Sequence, residues 1–231
     1  MSLGLVIPLF NEEALVADVV ADIHRLLDEA GIEHRLVLVN NGSRDGTGDI
    51  VDGLAQTLPV TALHLDKNAG YGGGILAGMN ALLKDDDTPE VIGWSWGDGQ
   101  VPAAVLPPLY RACVRGADLA KAVRTERHDG TWRKLVTTAY SETMRAFGCN
   151  IADVNGCPKL FRADVFARLS PTSTDWFIDA EVVLTAQALE LEITHHPTVM
   201  NARAGGKSKV HLGTMAEFAW NLARWRATRR P

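Results

Sequence analysis

Apolar and polar positions alternate in blocks along the first half of the chain. Residues 3–10, LGLVIPLF, are almost continuously apolar; polar Asn11, Glu12 and Glu13 follow, and then Leu15, Val19, Ile23 and Leu26 recur at helical spacing. This predicts a strand and then a helix to about Leu27, with Asn11 as its cap and two acids at its positive end. RLVLVN is a second apolar strand, ending in NNGSRDGTGD, whose Asn, Gly, Ser and Asp content is turn chemistry. A helix is expected from Thr47 or Asp49. VTALHL predicts a third strand, NAGYGGG a glycine-rich loop, ILAGMNALL a third helix and EVIGWSW a fourth strand.

Continuously apolar strands that alternate with amphipathic helices describe a parallel sheet covered on both faces. Right-handed crossovers put the carboxyl ends of all such strands on one edge, where ligands of these folds bind. The turns beginning at Asn11, Asn40, Asn68 and Asp98 are therefore expected to converge on one crevice. After about Val123 the pattern loosens: a helix from Trp132 to Phe147, a short KLFR strand, a helix from Ile178 to Leu189, a strand ITHHPTVM, a basic loop and a final helix. With no repeat and no Pro-, Gly- or Ser-rich linker, residues 1–123 and 124–231 are expected to form two halves of a single domain on one sheet.

Composition narrows the classes. The chain has 231 residues, 46% of them hydrophobic, enough for a single large core. No apolar run approaches the ~20 residues that span a bilayer, and the N-terminus lacks a basic stretch followed by a cleavable apolar one, so a soluble cytoplasmic chain is expected. Cys113, Cys149 and Cys157 make no C-x-x-C pair and read as buried thiols. A net charge of −5 argues against a nucleic-acid partner. From Met200 onward, however, seven basic residues face Glu217 alone, a local balance of +6 that suits a phosphate-bearing ligand or an anionic surface.

Two segments carry candidate chemistry. Gly72-Gly73-Gly74-Ile75-Leu76-Ala77 formally satisfies the dinucleotide pattern G-x-G-x-x-A, but it follows the third strand rather than the first, where that fingerprint belongs. The alternative is that these glycines permit close packing of helix on sheet. In SWGDGQ, Asp98 and Gln100 supply two oxygen ligands at a strand end, as magnesium or manganese sites for nucleotide substrates do. The same residues are equally good turn chemistry, with Gly99 free to take positive φ.

VIPLFNEE, VNNGSRDGT, NAGYGGGILAGM and WGDGQ, in this order and spacing, resemble the nucleotide-binding half of family 2 glycosyltransferases of the GT-A fold. DVNGCPKLFR, WFIDAEVVLTAQ and RAGGKSKV are similar to segments of the dolichyl-phosphate mannose synthase and polyprenyl-phosphate glycosyltransferase branch. The resemblance implies a Rossmann-like, mostly parallel central sheet with helices on both faces, and an inverting, metal-dependent transferase of the hexosyltransferase type. Pro8, Phe10 and Glu12 then line the nucleoside, and Asn40 stands where an Asp usually meets the base. Gly97, Asp98 and Gln100 close a D-x-D-x-Q element, with Asp98 and Gln100 as ligands of Mg²⁺ or Mn²⁺. Arg203 and Lys209 grip the diphosphate, where fixed cations stabilise the growing charge of the leaving group. Arg124, Arg133 and Thr137 fall where this branch holds its acceptor phosphate.

Two departures stand out. Trp96 occupies the place of the first Asp of D-x-D, and Asn40-Asn41 replaces Asp-Asp; an amide offers a donor as well as an acceptor, so base preference is expected to differ. A prenyl phosphate acceptor arrives largely deprotonated and needs no protein base. A hydroxyl acceptor, as on a soluble natural product, needs one, with Asp179 the candidate and Glu181 second; for Glu181 a structural role at the helix start is favoured. The final helix interleaves Phe218, Trp220, Leu222 and Trp225 with Arg224, Arg226, Arg229 and Arg230, a composition suited to peripheral contact with the inner membrane face as well as to ordinary core packing. Rival classes are a nucleotide-sugar-binding protein with little turnover and a dinucleotide oxidoreductase.

Overall fold

The computed structural model describes residues 1–84, 87–127, 142–201 and 220–227. The strands are β1 (Leu3–Leu9), β2 (His34–Asn41), β3 (Val60–Leu65), β4 (Val91–Trp94), β5 (Leu119–Arg127), β6 (Lys159–Arg162) and β7 (Ile193–Met200). The named helices are α1 (Val16–Glu29), α2 (Thr47–Thr57), α3 (Tyr71–Leu82), α4 (Leu106–Val114), α5 (Ala163–Leu169) and α6 (Ile178–Ala188). Residues 220–227 are also helical.

All seven strands join one sheet in the order β3-β2-β1-β4-β6-β5-β7. β1 pairs in parallel with β2 and β4, β2 with β3, and β5 with β7; β6 runs antiparallel to both its neighbours. Alternate residues of β1 enter different cores: Val6 faces the layer containing Ile75, Met79, Phe161 and Val183, whereas Leu5 and Ile7 face that containing Val20, Ile23, Leu109 and Tyr110. A sheet buried on both faces is why its central strands read as unbroken apolar runs.

Several elements differ from the sequence expectation. α1 begins at Val16 with no side-chain cap, and its buried stripe is Val16, Val20, Ile23 and Leu27, which shares Ile23 with the predicted stripe and is displaced by one position at the other three. Asn11 and Glu13 clasp the next turn instead: Asn11 Oδ1 accepts from Arg44 N at 2.9 Å, and Glu13 Oε2 accepts from Gly46 N at 2.6 Å. α3 begins at Tyr71, so the glycines lie inside its first turn. A Cβ at Gly78 would collide with Val6 and lie 2.9 Å from Val39, which brings α3 down onto the sheet. Most of the expected helix from Trp132 to Phe147 lies outside the described residues. The three cysteines are free and buried, as expected.

Candidate active site

β1 has β2 on one side and β4 on the other, so the carboxyl ends of these strands flank a topological switch point. Four turns meet there. Phe10–Glu13 is clasped to residues 43–47, with Glu12 N donating to Thr47 Oγ1 at 2.9 Å. Pro8, Phe10 and Glu12 are half-buried along this rim. Gly97 packs on β1, where a Cβ would collide with Leu9 and lie 3.2 Å from Ile7.

Asp98 is half-buried at the end of β4, and its Oδ1 accepts from Gln100 N at 3.1 Å around Gly99, whose φ is +66°. The expected turn is therefore present. Gln100 ties this turn to the end of β7: its Nε2 donates to the Asn201 carbonyl at 3.1 Å, and Asn201 N donates to the Gln100 carbonyl at 2.8 Å. With the amide nitrogen so engaged, Oε1 is the ligand-type atom of this side chain. A carboxylate and an amide oxygen are hard donors of the kind Mg²⁺ and Mn²⁺ take when substrate phosphates complete the shell.

The two asparagines of the second turn both use the donor that an Asp lacks. Asn40 is 9% exposed; its Oδ1 accepts from Ser43 N at 3.1 Å, and its Nδ2 lies 3.1 Å from His64 Nδ1. His64 Nε2 lies 2.9 Å from Asp52 Oδ1, so Nε2 carries the proton and Nδ1 accepts from the Asn40 amide. Asn41 bonds reciprocally with the glycine loop, donating to the Gly70 carbonyl at 2.9 Å and accepting from Ala69 N at 2.9 Å. Asn40 is thus engaged at both ends by protein, which accounts for the amide without reference to a base.

The glycine loop takes the packing alternative. Gly73 N donates to the Thr174 carbonyl at 2.9 Å, and a Cβ on Gly72 would collide with the Ser173 carbonyl and lie 2.8 Å from that of Asp175. The amino end of α3, which a dinucleotide's diphosphate would need, is covered by the 173–175 backbone.

Trp96 joins an aromatic wall. Its Nε1 donates to the Tyr71 hydroxyl at 2.9 Å, Tyr71 stacks on Trp176 with centroids 4.4 Å apart, and the Arg124 guanidinium lies 5.3 Å over the Trp96 ring. Burial pushes the Tyr71 phenol well above its ordinary pKa. Arg124 does not stand open to an acceptor: its side chain is 8% exposed, and it grips Asp153 through Nε at 2.8 Å and a terminal nitrogen at 2.5 Å. Burial alone would raise the Asp153 carboxyl, but the hydrogen bonds and charge of Arg124 hold it down at about 2. The planar fork expected to meet an acceptor phosphate is thus engaged by a carboxylate of the chain itself.

Asp179, the base expected for a hydroxyl acceptor, is 2% exposed and paired with the fully buried Lys159 at 2.5 Å. Glu181 takes the structural role expected, accepting from Thr172 N at 3.1 Å and Ser173 N at 2.9 Å. Arg133, Thr137, Arg203 and Lys209 lie outside the described residues. Sequence reasoning gave no role to Tyr71, Lys121, Asp153, Trp176 or Asn201. Lys121 Nζ, fully buried, donates to the Ala152 carbonyl at 2.9 Å and that of Asp153 at 2.7 Å, and burial lowers its pKa to about 7.

Leu222 of helix 220–227 is buried and Trp225 packs against the core, whereas Trp220 is 70% exposed. No helix among the described residues is long and apolar enough to cross a membrane.

Comparison with known proteins fits this geometry. The chain is 24% identical over 224 residues to undecaprenyl-phosphate 4-deoxy-4-formamido-L-arabinose transferase of Aeromonas hydrophila, covering 95% of this chain but 66% of that one. It is 27% identical over 233 residues to polyprenol monophosphomannose synthase of Mycolicibacterium smegmatis, covering 96% of this chain and 85% of that one. Glucosyl-3-phosphoglycerate synthase from Mycobacterium tuberculosis, solved with Mg²⁺ and uridine diphosphate, superposes with a TM-score of 0.70 at 16% identity, over 99% of this chain and 79% of that one. The same synthase has been solved with Mn²⁺ and uridine diphosphate. The fold is thus GT-A. Glycosyl transferase family 2 matches residues 5–170, well over half of the sequence, and the chain belongs to that family.

Proposed function

We propose that this chain transfers a sugar, with inversion, from a nucleoside-diphosphate sugar to a polyprenyl-phosphate-type acceptor. The carrying observation is the Asp98–Gln100 turn at the switch point, hydrogen-bonded to Asn201 immediately before the basic segment that contains Arg203 and Lys209. Asp98 and the Gln100 amide oxygen would hold Mg²⁺ or Mn²⁺, which supplies positive charge against the departing diphosphate. Pro8, Phe10, Glu12 and Gly97 line the donor crevice, Arg203 and Lys209 meet the diphosphate, and Arg133 and Thr137 hold the acceptor phosphate. Residues 1–123 serve the donor and 124–231 the acceptor within a single domain.

The state of Asp179 favours this acceptor over a hydroxyl. A carboxylate sealed in a buried ion pair is a poor proton acceptor for an incoming alcohol, whereas a phosphate monoester, with a second pKa of about 6, attacks without one. The relatives whose names specify undecaprenyl phosphate and polyprenol support the same class. Exposed Trp220, with Arg224 and Arg226 exposed on the same helix, supports peripheral contact with the cytoplasmic membrane face, where such an acceptor resides.

The test is a thermal-shift panel of UDP-, GDP-, CDP- and dTDP-sugars with and without Mn²⁺, followed by turnover with a short-chain polyprenyl phosphate and with its free alcohol. Metal-dependent stabilisation by one donor, lost in Asp98→Ala, and transfer to the phosphate alone are expected. An unchanged shift in Asp98→Ala removes the metal assignment, and transfer to the alcohol removes the acceptor assignment.

A further inference from the structure

Opposite the crevice, at the amino-terminal edge of the sheet, three ligand-type side chains from one eleven-residue segment meet. His24 and Asp28 lie one turn apart on α1, and His34 opens β2. A ring nitrogen from each histidine and a carboxylate oxygen of Asp28 lie within 4.8 Å of one another.

The backbone fixes this meeting. α1 ends in a Schellman motif, with Gly31 at φ +66°, Gly31 N donating to the Asp28 carbonyl at 2.9 Å and Ile32 N to that of Leu27 at 2.9 Å. The chain therefore reverses tightly and returns His34 to the helix it has just left. The His34 side chain is 3% exposed, buried beside this last turn.

A hydrogen bond then fixes the His34 tautomer. His34 Nδ1 lies 2.8 Å from the Ile32 carbonyl, which only accepts, so Nδ1 carries the proton and Nε2 presents a lone pair. His24 Nε2 faces Asp28 Oδ2 at 3.4 Å, and a carboxylate likewise only accepts. His24 Nδ1 lies 2.8 Å from His34 Nε2. Two ring nitrogens at this separation need an electropositive centre between them, either a proton carried by His24 Nδ1 or a metal ion. Zn–N bonds of about 2.0–2.1 Å at a tetrahedral angle put two nitrogens roughly 3.3 Å apart, so a shift of about half an ångström admits one ion to both. Asp28, with a side chain 60% exposed, has freedom to swing in as a third ligand.

We propose that His24, Asp28 and His34 bind a single zinc-type divalent cation, with water in the fourth position, stapling the last turn of α1 to the first residue of β2. Imidazole donors select borderline-soft transition ions over Mg²⁺, so this site and the oxygen-donor site at Asp98 discriminate between metals. The role is structural: the ion holds the first helix against the strand whose other end carries Asn40 and Asn41.

The test uses the chelator-stripped full chain carrying Asp98→Ala, so that the crevice does not contribute, titrated with Zn²⁺ and with Co²⁺. Expected are one equivalent of bound Zn²⁺, a rise in unfolding temperature, and visible Co²⁺ bands of tetrahedral intensity. His24→Ala, which leaves a good helix former on a half-buried position, should weaken binding roughly tenfold or more, and His34→Ala should do the same. Asp28→Asn reports on the third ligand if His34→Ala does not fold. No stoichiometric uptake would assign the histidine pair to a shared proton, and uptake unchanged in His24→Ala and Asp28→Asn would place the ion elsewhere. Either result overturns the proposal.

Discussion

Asp179 is a decisive residue because a catalytic base and a buried anchor respond oppositely to its removal. The Lys159 and Asp179 side chains are 0% and 2% exposed and 2.5 Å apart; Lys159 Nζ also donates to the Gly156 carbonyl at 2.8 Å and lies 5.9 Å from the Trp94 ring centroid. Asp179→Ala leaves an ammonium in the core with one carbonyl and an aromatic face for company. Breaking a buried pair in this way costs about 3–5 kcal/mol. A chain of this size loses about 2–4 °C of Tm per kcal/mol, so the midpoint should fall by roughly 6–20 °C. Replacing both partners, as in Lys159→Met with Asp179→Leu, should recover most of the loss, because no charge is then left unpaired. Thermal unfolding of the three proteins followed by circular dichroism, with turnover measured well below each midpoint, checks both parts. Asp179→Ala with a midpoint within about 2 °C of the parent, but with transfer abolished, would refute the anchor reading and restore the carboxylate as a base.

Three further outcomes follow from the same geometry. Asn41→Asp removes the donor to the Gly70 carbonyl and buries a charge at a 4% exposed position, so stability should fall by about 1–3 kcal/mol in urea titrations; an unchanged midpoint would contradict the latch. Asp153 titrates at about 2 in the folded chain against an ordinary 3.8, so its contribution of about 2 kcal/mol is fully present above pH ~4 and is lost as pH falls toward 2. Urea midpoints between pH 5 and 2 should show this loss, and Asp153→Asn should flatten it. Gly72→Ala drives a methyl into the Ser173 and Asp175 carbonyls and should cost about 1–3 kcal/mol, with altered Trp176 fluorescence as the 173–175 backbone shifts; an unperturbed spectrum and midpoint would show that the loop is not packed there.

The central strands were legible because burial on both faces leaves them no polar positions. β5 was missed because Lys121 interrupts LAKAVRTER: a lysine normally marks a solvated face, but here it is fully buried and donates to backbone carbonyls. α4 was not among the expected elements: Pro107 and Pro108 are out of place in a helix interior, yet proline is tolerated in a first turn, where the N–H groups lack helical partners. Motif order indicated the Asp98–Gln100 turn, and strand-end logic indicated where it would lie. The partners of Arg124 and Asp179 were illegible, since nothing local in sequence connects residue 124 to 153 or residue 159 to 179. Likewise no local pattern shows that the Asn40 and Asn41 donors are used by His64 and the Gly70 carbonyl.

The rim of the crevice is laced across its width. Thr174 is fastened to Gly73, Trp96 to Tyr71, Arg124 to Trp96 and Asn201 to Gln100, each contact joining residues distant in sequence. A cleft sewn at four points does not gape like a jaw. The turns so joined are held in fixed relation before any substrate arrives, so that binding there demands little reordering of the chain.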